Sequence, residues 1–251
     1  MAASIRQRLS LLSYLGLILA LAAGLNLLAS GPGSRLGLWG WRTGFLMMAW
    51  TGTIGIWAVW ISLAGGLFAL IGAMKARTAA ALVGLALGFL MMSVPTTRQQ
   101  VLNSVPRIHE VSTDTERPPQ FQAALALRQS AKAANPPAYN AQFAPLQRKA
   151  FPDIQPAYLE GAPEAAFGRA LAAARSMGWN IIASDPKEGR IEAVATTFWY
   201  GFEDDVVIRV QREGERNRVD IRSKSRVGGS DFGTNAKRVQ AYLKALGGGK
   251  G

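Results

Sequence analysis

The residues best suited to acid–base chemistry surround a single histidine. His109 is the only histidine in the chain, and Glu110, Thr113 and Asp114 follow it closely. An imidazole titrates near neutral pH and can act as a general base beside a carboxylate. His109 and Asp114 are therefore the candidate catalytic residues of a hydrolase-type enzyme. The alternative is a structural histidine that holds its segment by hydrogen bonds. The absence of a nucleophile elbow and of a second histidine for a metal favours this alternative.

A second candidate is the carboxylate triplet Glu203, Asp204 and Asp205, which follows Trp199–Phe202. Adjacent carboxylates can hold a divalent cation or divide into an acid and a base. Consecutive residues of a strand point to opposite faces, however, and EF-hand spacing is absent. Solvated charges and an ion pair are the simpler interpretation, and no metal site is predicted.

A third candidate is an anion site near the C-terminus. Arg222, Lys224 and Arg226 lead into a glycine-rich loop, Val227–Gly233, just before a predicted helix. Exposed backbone N–H groups and a helix N-terminus favour anions, and guanidinium groups complete a phosphate or carboxylate site. The alternative is that Asp231 caps the helix and pairs with Arg226. The predicted ligand-binding residues are Arg209, Arg222, Arg226, Gly228, Ser230, Asp231, Asn235 and Arg238.

Composition divides the chain of 251 residues into two unlike parts. The first 95 residues contain no Asp or Glu, and all 16 acidic residues lie between Glu110 and Asp231. The net charge of +12 divides into +6 before residue 96 and +6 after it. Basic surface beside a membrane meets anionic lipid headgroups, and no nucleic-acid motif is present. The absence of cysteine excludes disulfides, a thiolate nucleophile and cysteine metal sites. No cofactor is predicted.

The first 95 residues predict a transmembrane domain of three helices, at about 9–29, 44–71 and 78–94. The first apolar run has the length that crosses roughly 30 Å of hydrocarbon. A signal peptide is the alternative, but two more hydrophobic segments follow directly. The third helix is predicted to end at Pro95, and Trp39 and Trp41 are predicted to anchor the second helix at the membrane interface.

Orientation follows from the positive-inside rule. Four basic residues are predicted to be cytoplasmic (Arg6, Arg8, Lys75 and Arg77) and three to be outside (Arg35, Arg42 and Arg98). Three spans then place the C-terminal domain in the periplasm of a Gram-negative cell, and the protein in the inner membrane. The predicted spans contain no ionisable residue of the kind that marks a transport pathway, which argues against transport.

Small residues recur on the third helix at Ala80, Gly84 and Gly88. Such spacing lets two helices approach closely. It is explained either by packing within the three-helix bundle or by formation of a homo-oligomer.

The remaining residues predict a soluble α+β domain at 151–246, preceded by a Pro-rich extended linker or wrap at 96–150. One helix is expected at 162–177 and another at 233–246, before a disordered tail at 247–251. Four strands are expected at 179–184, 190–198, 205–212 and 217–226. The predicted fold class is membrane-anchored α+β, in which three transmembrane helices precede an antiparallel sheet with helices packed on one face.

Alternation predicts the register of the last two strands. Val206, Ile208 and Val210 share one face with Val219 and Ile221, so the charged residues face the other way. This register places Arg209 opposite Asp220 and Asp205 opposite Lys224, which gives two opposite-charge pairs.

Three stretches of sequence resemble a known family. They are IHEVSTDT at Ile108–Thr115 with PPQF at Pro118–Phe121, FPDIQP at Phe151–Pro156, and RSKSRVGGSDFGTNAKR at Arg222–Arg238. Together they resemble a bacterial membrane-associated family known as domain of unknown function 1499, over roughly Pro106–Leu246. The family form has Asp where this chain has Glu110. The resemblance implies the fold and the membrane setting, and it implies no activity.

The predicted function is that of a non-enzymatic envelope protein whose periplasmic domain binds an anionic partner, either a lipid headgroup or an acidic protein. The first alternative is an enzyme that uses His109 with nearby carboxylates. The second is a scaffold for a membrane complex, with other envelope proteins or a second copy joined through Ala80, Gly84 and Gly88.

Overall fold

The computed structural model describes residues 2–247 and divides them into two compact units. The first unit runs to Val101 and includes Trp199–Gly201, and the second contains the rest from Leu102 onward. Of the predicted tail at 247–251, all but Gly247 lies outside the described residues.

The described part of the first unit contains the helices α1 (Ala2–Leu9), α2 (Leu12–Arg35), α3 (Trp41–Ile71) and α4 (Lys75–Ser104), the last of which ends just inside the second unit. Three segments are long and apolar enough to cross a membrane, namely Ala3–Arg35, Trp41–Ile71 and Lys75–Ser104. This confirms the predicted number of candidate spans.

The prediction that the third helix ends at Pro95 is wrong, because α4 continues through Pro95 to Ser104. Proline removes one backbone donor, but membrane helices tolerate this where hydroxyl groups and neighbouring helices compensate. Thr96 and Thr97 both donate hydroxyl hydrogen bonds to the Ser93 carbonyl, at 2.7 and 2.9 Å. The ring of Pro95 lies against Gly52 of α3, where a larger residue would collide with it.

The small residues of α4 pack inside the helical unit. Ala80, Gly84 and Gly88 are buried there. A methyl group added at Gly84 would meet the hydroxyl of Ser62, and one added at Gly88 would meet Val59. The structure thus uses this face for packing between its own helices. An oligomer through the same face stays a prediction, and it would have to open the bundle.

The second unit contains a six-stranded antiparallel sheet. Its strands are β1 (Glu110–Ser112), β2 (Ala157–Leu159), β3 (Asn180–Asp185), β4 (Arg190–Thr196), β5 (Glu203–Glu213) and β6 (Arg216–Ser225). The order is β1-β6-β5-β4-β3, and β2 also pairs with β6. Four helices complete the unit: α5 (Ala123–Ser130), α6 (Phe143–Ala150), α7 (Pro163–Ser176) and α8 (Thr234–Ala245).

One face of the sheet carries the hydrophobic core, and it is called the apolar face below. The predicted register is confirmed, since Arg209 pairs with Asp220 and Asp205 with Lys224 along β5 and β6. Val206, Ile208 and Ile221 are fully buried in the cluster that also contains the inner residues of α7 and α8. Alternation in the sequence was sufficient to locate this core.

The other face is also covered, so the prediction of helices on one face alone describes only half of the packing. Residues 113–142, called the covering segment, lie over this covered face of the sheet. Phe121 and Ala124 of this segment pack on Val207, and α5 begins there. The structure therefore divides the chain near residue 102, within the linker predicted at 96–150. The covering segment and β1 belong to the second unit because β1 pairs with β6.

Candidate functional site

Three deeply buried charges form one cluster on the covered face, called the Glu110 cluster. Arg222 of β6 donates two hydrogen bonds to Glu110 Oε2, at 3.0 and 2.7 Å. Lys224 donates to Glu110 Oε1 at 2.7 Å. The three side chains are at most 1% exposed. Two buried cations therefore share one carboxylate.

Backbone carbonyls of the covering segment accept the remaining hydrogen bonds of this cluster. Arg222 donates to the carbonyls of Pro119 and Pro137, and Lys224 donates to that of Ala138. The guanidinium of Arg222 also lies over the ring of Phe121, with 4.8 Å from Cζ to the ring centroid. Because proline has no backbone N–H, a Pro-rich segment cannot form a full ladder of backbone hydrogen bonds with a strand. Side chains of the strand that donate to its carbonyls bind it instead. The cluster fastens the covering segment to the sheet.

Burial sets the acid–base behaviour of this cluster. It lowers the pKa of Arg222 and of Lys224, against the raising effect of Glu110. Burial, followed by the charge of Glu110, raises the pKa of Tyr139 to about 12. Burial and the charge of Lys224 lower the pKa of His109, while Glu110 opposes them. Within residues 2–247, neither Tyr139 Oη nor His109 Nδ1 has a hydrogen-bond partner.

A second set of charges, called the groove cluster, lies at the start of β5. Arg226 donates to both oxygens of Asp205, and Arg128 of α5 donates to Asp205 Oδ2 at 2.5 Å. Arg226 also pairs with Glu203, whose side chain is 47% exposed. Burial lowers the pKa of Arg226, but the hydrogen bond and charge of Asp205 and the charge of Glu203 raise it overall.

An open groove of about 340 Å³ lies beside this cluster. Its lining combines apolar residues with one ion pair: Leu127, Ser130, Ala131, Asn180, Val194, Glu203 and Arg226. The Arg226–Glu203 pair is therefore the charged part of the groove.

A third cluster surrounds Asp114 and Asp220. Arg209 donates to both carboxylates, at 2.9 and 2.7 Å, and Arg218 lies within 3.0 Å of each. Burial acts to raise the pKa of Asp114, but hydrogen bonds from the Arg117 N–H, the Arg209 guanidinium and the Glu116 N–H lower it overall. This confirms the predicted Arg209–Asp220 pair. The predicted Asp205–Lys224 ion pair is wrong, because Lys224 pairs with Glu110 of β1, on the other side of β6.

The start of α8 does not present a free anion site. Asp231 accepts hydrogen bonds from the backbone N–H groups of Gly233 and Asn235, at 2.9 and 2.8 Å. Its carboxylate thus occupies the place that an external anion would take, as the capping alternative predicts. The pairing of Asp231 with Arg226 in that alternative is wrong, because Arg226 pairs with Asp205 and Glu203. Asn235 and Arg238 bind Ser223 on the apolar face, and Arg238 also pairs with Asp204. Ligand binding at Gly228 and Ser230 stays a prediction.

The predicted ligand-binding residues therefore do not converge on one surface. Arg209, Arg222 and Arg226 belong to the covered face, whereas Asn235 and Arg238 lie with α8 on the apolar face. Arg222 is fully buried and already bound to Glu110, so it offers no surface to a partner. Of the arginines in the strand predicted at 217–226, Arg226 lines the groove of about 340 Å³.

The predicted catalytic pair is also divided. The ring of His109 packs edge-on against Phe143, with 5.0 Å between ring centroids. Asp114 bonds to Arg209 and to the backbone N–H groups of Glu116 and Arg117. Within residues 2–247, no hydrogen bond joins His109 to Asp114. The acidic triplet follows strand alternation, with Asp204 paired to Arg238 and Asp205 to Arg226.

Two important charged residues were not predicted from the sequence. Glu192 is fully buried in β4 and accepts hydrogen bonds from the backbone N–H groups of Gln122, Ala123 and Ala124. Arg128 completes the groove cluster. A signal for Glu192 existed, since a single carboxylate interrupts the apolar run Ile191–Ala195 on the face opposite the core. Nothing local distinguished Arg128 from other surface arginines.

Comparison with known proteins identifies the family but not the activity. No curated protein matches the chain. One family model, described as protein of unknown function (DUF1499), matches residues 110–246. The match begins at Glu110 of the Glu110 cluster and ends after α8, so it contains all three charge clusters. Since it spans more than half of the sequence, the chain belongs to the DUF1499 family.

Proposed function

We propose that this protein is a non-enzymatic, membrane-anchored binding protein whose groove accepts the anionic headgroup of a lipid. The site is the groove that Arg226 and Glu203 line. The protein is an inner-membrane protein in this proposal, and the domain lies in the periplasm. The positive-inside bias of Arg6, Arg8, Lys75 and Arg77 supports this orientation.

The charge balance of the groove cluster carries the proposal. Two buried guanidinium groups, those of Arg128 and Arg226, share one buried carboxylate, Asp205. The second negative charge comes from Glu203, which is half exposed. A buried charge is costly unless it is paired. If Glu203 moves out to solvent, the phosphate of a ligand can take its place beside Arg226. The guanidinium of Arg226 then still has a second negative partner besides Asp205.

The lining of the groove supports an amphiphilic ligand. Leu127, Ala131 and Val194 provide an apolar wall beside the ion pair. Arginine binds phosphate through two parallel hydrogen bonds. A lipid headgroup with the first part of its acyl chains matches both features, and the helical anchor keeps the domain at a membrane.

The test uses the full-length protein in neutral nanodiscs and measures capture of phosphatidylglycerol vesicles and of phosphatidylcholine vesicles. We expect capture of the anionic vesicles only, with loss at high salt. Glu203→Gln removes the carboxylate that competes with the lipid phosphate for Arg226, and it should increase capture several-fold. Glu215→Gln, an exposed glutamate in the β5–β6 turn, is the matched control for charge and should have a smaller effect.

Arg226→Ala should abolish capture. This variant also removes one of the two cationic partners of the buried Asp205. Its fold is therefore checked by hydrogen exchange of the β5 and β6 amides. Equal capture by Glu203→Gln and Glu215→Gln would contradict the groove assignment. If polyglutamate binds and phosphatidylglycerol does not, the partner is an acidic protein instead of a lipid. Reporter fusions at the C-terminus test the periplasmic location.

A further inference from the structure

The helical unit carries three tryptophans whose positions do not fit lipid contact alone. Trp50, Trp57 and Trp60 of α3 are 60%, 60% and 62% exposed in the structure. At 100° per residue they lie within an arc of about 80° on one face of the helix. This set of residues is called the tryptophan stripe.

The depth of the stripe is unusual. Tryptophan in membrane proteins collects at the two interfaces, as Trp39 and Trp41 do at the start of α3. The midpoint of α3 falls at residue 56 of Trp41–Ile71. A rise of about 1.5 Å per residue places Trp57 and Trp60 about 1.5 and 6 Å from that midpoint, and Trp50 about 9 Å from it. Since half of the hydrocarbon layer is about 15 Å thick, all three indoles lie within it.

Each indole carries an N–H donor that hydrocarbon cannot satisfy. Trp39 shows how the chain solves this near the helix end, by donating to the carbonyl of Ser30 at 3.2 Å. The structure shows no such acceptor for Trp50, Trp57 or Trp60 anywhere in residues 2–247. An acceptor on another helix would remove this cost.

We infer that the tryptophan stripe is a dimer interface at which α3 packs against α3 of a second copy of this chain. Both copies insert with the same topology, so their α3 helices run parallel and place like residues at like depth. Thr53 lies on the same exposed face, between Trp50 and Trp57. In a parallel pair, the Thr53 hydroxyl of one copy lies within about 6 Å in depth of Trp57 of the other and can accept its N–H.

The stripe supplies about half of the area that a standard dimer interface buries. An aromatic side chain buries about 150–250 Å², so three indoles at roughly 60% exposure offer about 300–450 Å² per copy. A standard interface buries about 800 Å² per partner. Leu46 and Leu67, each more than half exposed, extend this face along α3 in both directions. The small residues of α4 are already used within the bundle, so this stripe is a separate surface.

The test exploits the absence of cysteine from the chain. Thr53→Cys places a single thiol in the stripe of the full-length protein, and Val83→Cys places one on the exposed face of α4. Both variants are reconstituted in lipid bilayers and oxidised. We expect a disulfide-linked dimer from Thr53→Cys and little from Val83→Cys. Trp57→Leu and Trp60→Leu, added to Thr53→Cys, should reduce crosslinking at least several-fold while protease resistance of the domain is unchanged.

Three outcomes would overturn the inference. They are equal crosslinking at residues 53 and 83, no crosslinking at residue 53, and crosslinking at residue 53 that survives both tryptophan substitutions. Capture of a different membrane protein by the stripe, with no dimer of this chain, would likewise overturn the second copy as the occupant. The experiment does not depend on the proposed lipid site.

Discussion

The two faces of the sheet are stabilised in different ways. On the apolar face, Ile208 and Ile221 pack against α7 and α8 in a continuous hydrophobic core. On the covered face, the apolar cluster contains little more than Phe121, Ala124 and Val207, and ion pairs surround it. Apolar contact is non-directional, whereas a buried ion pair specifies its partner. The difference shows how a segment poor in apolar residues can be fixed to a sheet in one position.

The same comparison shows which groups the basic residues of the covered face bind within the chain. The positive charges of Arg222 and Lys224 hold carbonyls of Pro119, Pro137 and Ala138. Basic side chains of a strand need hydrogen-bond acceptors when they are buried. In this domain the acceptors are carbonyls of the covering segment. The groove cluster differs because one of its acceptors, Glu203, is half exposed.

The largest expected effect comes from removing one partner of the Glu110 cluster. Arg222→Met leaves three carbonyl and carboxylate acceptors without a donor, and Glu110→Gln leaves two buried cations without a carboxylate. Each substitution should lower the free energy of unfolding by about 3–5 kcal/mol. Hydrogen exchange of the β5 and β6 amides in the full-length protein measures this loss.

Arg148→Met is the matched control for that prediction. Arg148 pairs with Glu116 on the surface, where both side chains are more than half exposed. An exposed pair contributes about 0–1 kcal/mol, so this variant should exchange almost as the wild type does. Similar losses for Arg222→Met and Arg148→Met would mean that burial gives the Glu110 cluster no special role.

Removing all three charges of that cluster separates ion pairing from carbonyl binding. A buried ion pair replaced as a whole by apolar residues is often neutral or stabilising. In the triple variant Glu110→Leu, Arg222→Met and Lys224→Met, however, the carbonyls of the covering segment lose their donors. We expect a net loss of about 1–3 kcal/mol, smaller than that of the single variants. A triple variant as stable as the wild type would show that the carbonyl bonds are dispensable.

The sequence predicted the apolar face well and the covered face poorly, for a physical reason. The core and the β5–β6 register follow from alternation within each strand, which is local information. The partner of Arg222 is Glu110, and that of Asp205 includes Arg128, both distant in sequence. β1 has three residues, too few for a periodic signal, so its pairing with β6 was not predicted. Register alone could not decide between Asp205 and Glu110 as the partner of Lys224, because both lie opposite it.

A smaller effect should appear as a pH dependence of the covered face. Burial and the charge of Lys224 lower the pKa of His109 below its ordinary value of 6.5. The unfolded chain then binds a proton more readily, so the contribution of His109 to stability is complete above pH 6.5 and declines as the pH falls through the folded pKa. Each unit of depression corresponds to about 1.4 kcal/mol. The stability of the wild type relative to His109→Gln should therefore be lower at about pH 5.5 than at about pH 8.

Urea unfolding of both proteins at the two pH values measures this difference. The carboxylates that titrate nearby are the same in both proteins, so their contributions cancel when the two curves are subtracted. A constant difference between the two proteins would contradict a buried, neutral His109.

The smallest prediction compares one tyrosine hydroxyl on each side of the sheet. Tyr242 of α8 is fully buried, and its hydroxyl donates to the carbonyl of Ala170 at 3.2 Å. Tyr139 of the covering segment has a buried hydroxyl with no partner in the described part of the chain. Removing a bonded hydroxyl costs about 1 kcal/mol, whereas removing an unsatisfied one relieves a desolvation penalty. Tyr242→Phe should therefore lower stability by about 1 kcal/mol, and Tyr139→Phe should leave it unchanged or raise it. If Tyr139→Phe also lowers stability, an ordered water or ligand binds that hydroxyl in solution, and the covered face contains a polar site next to Glu110.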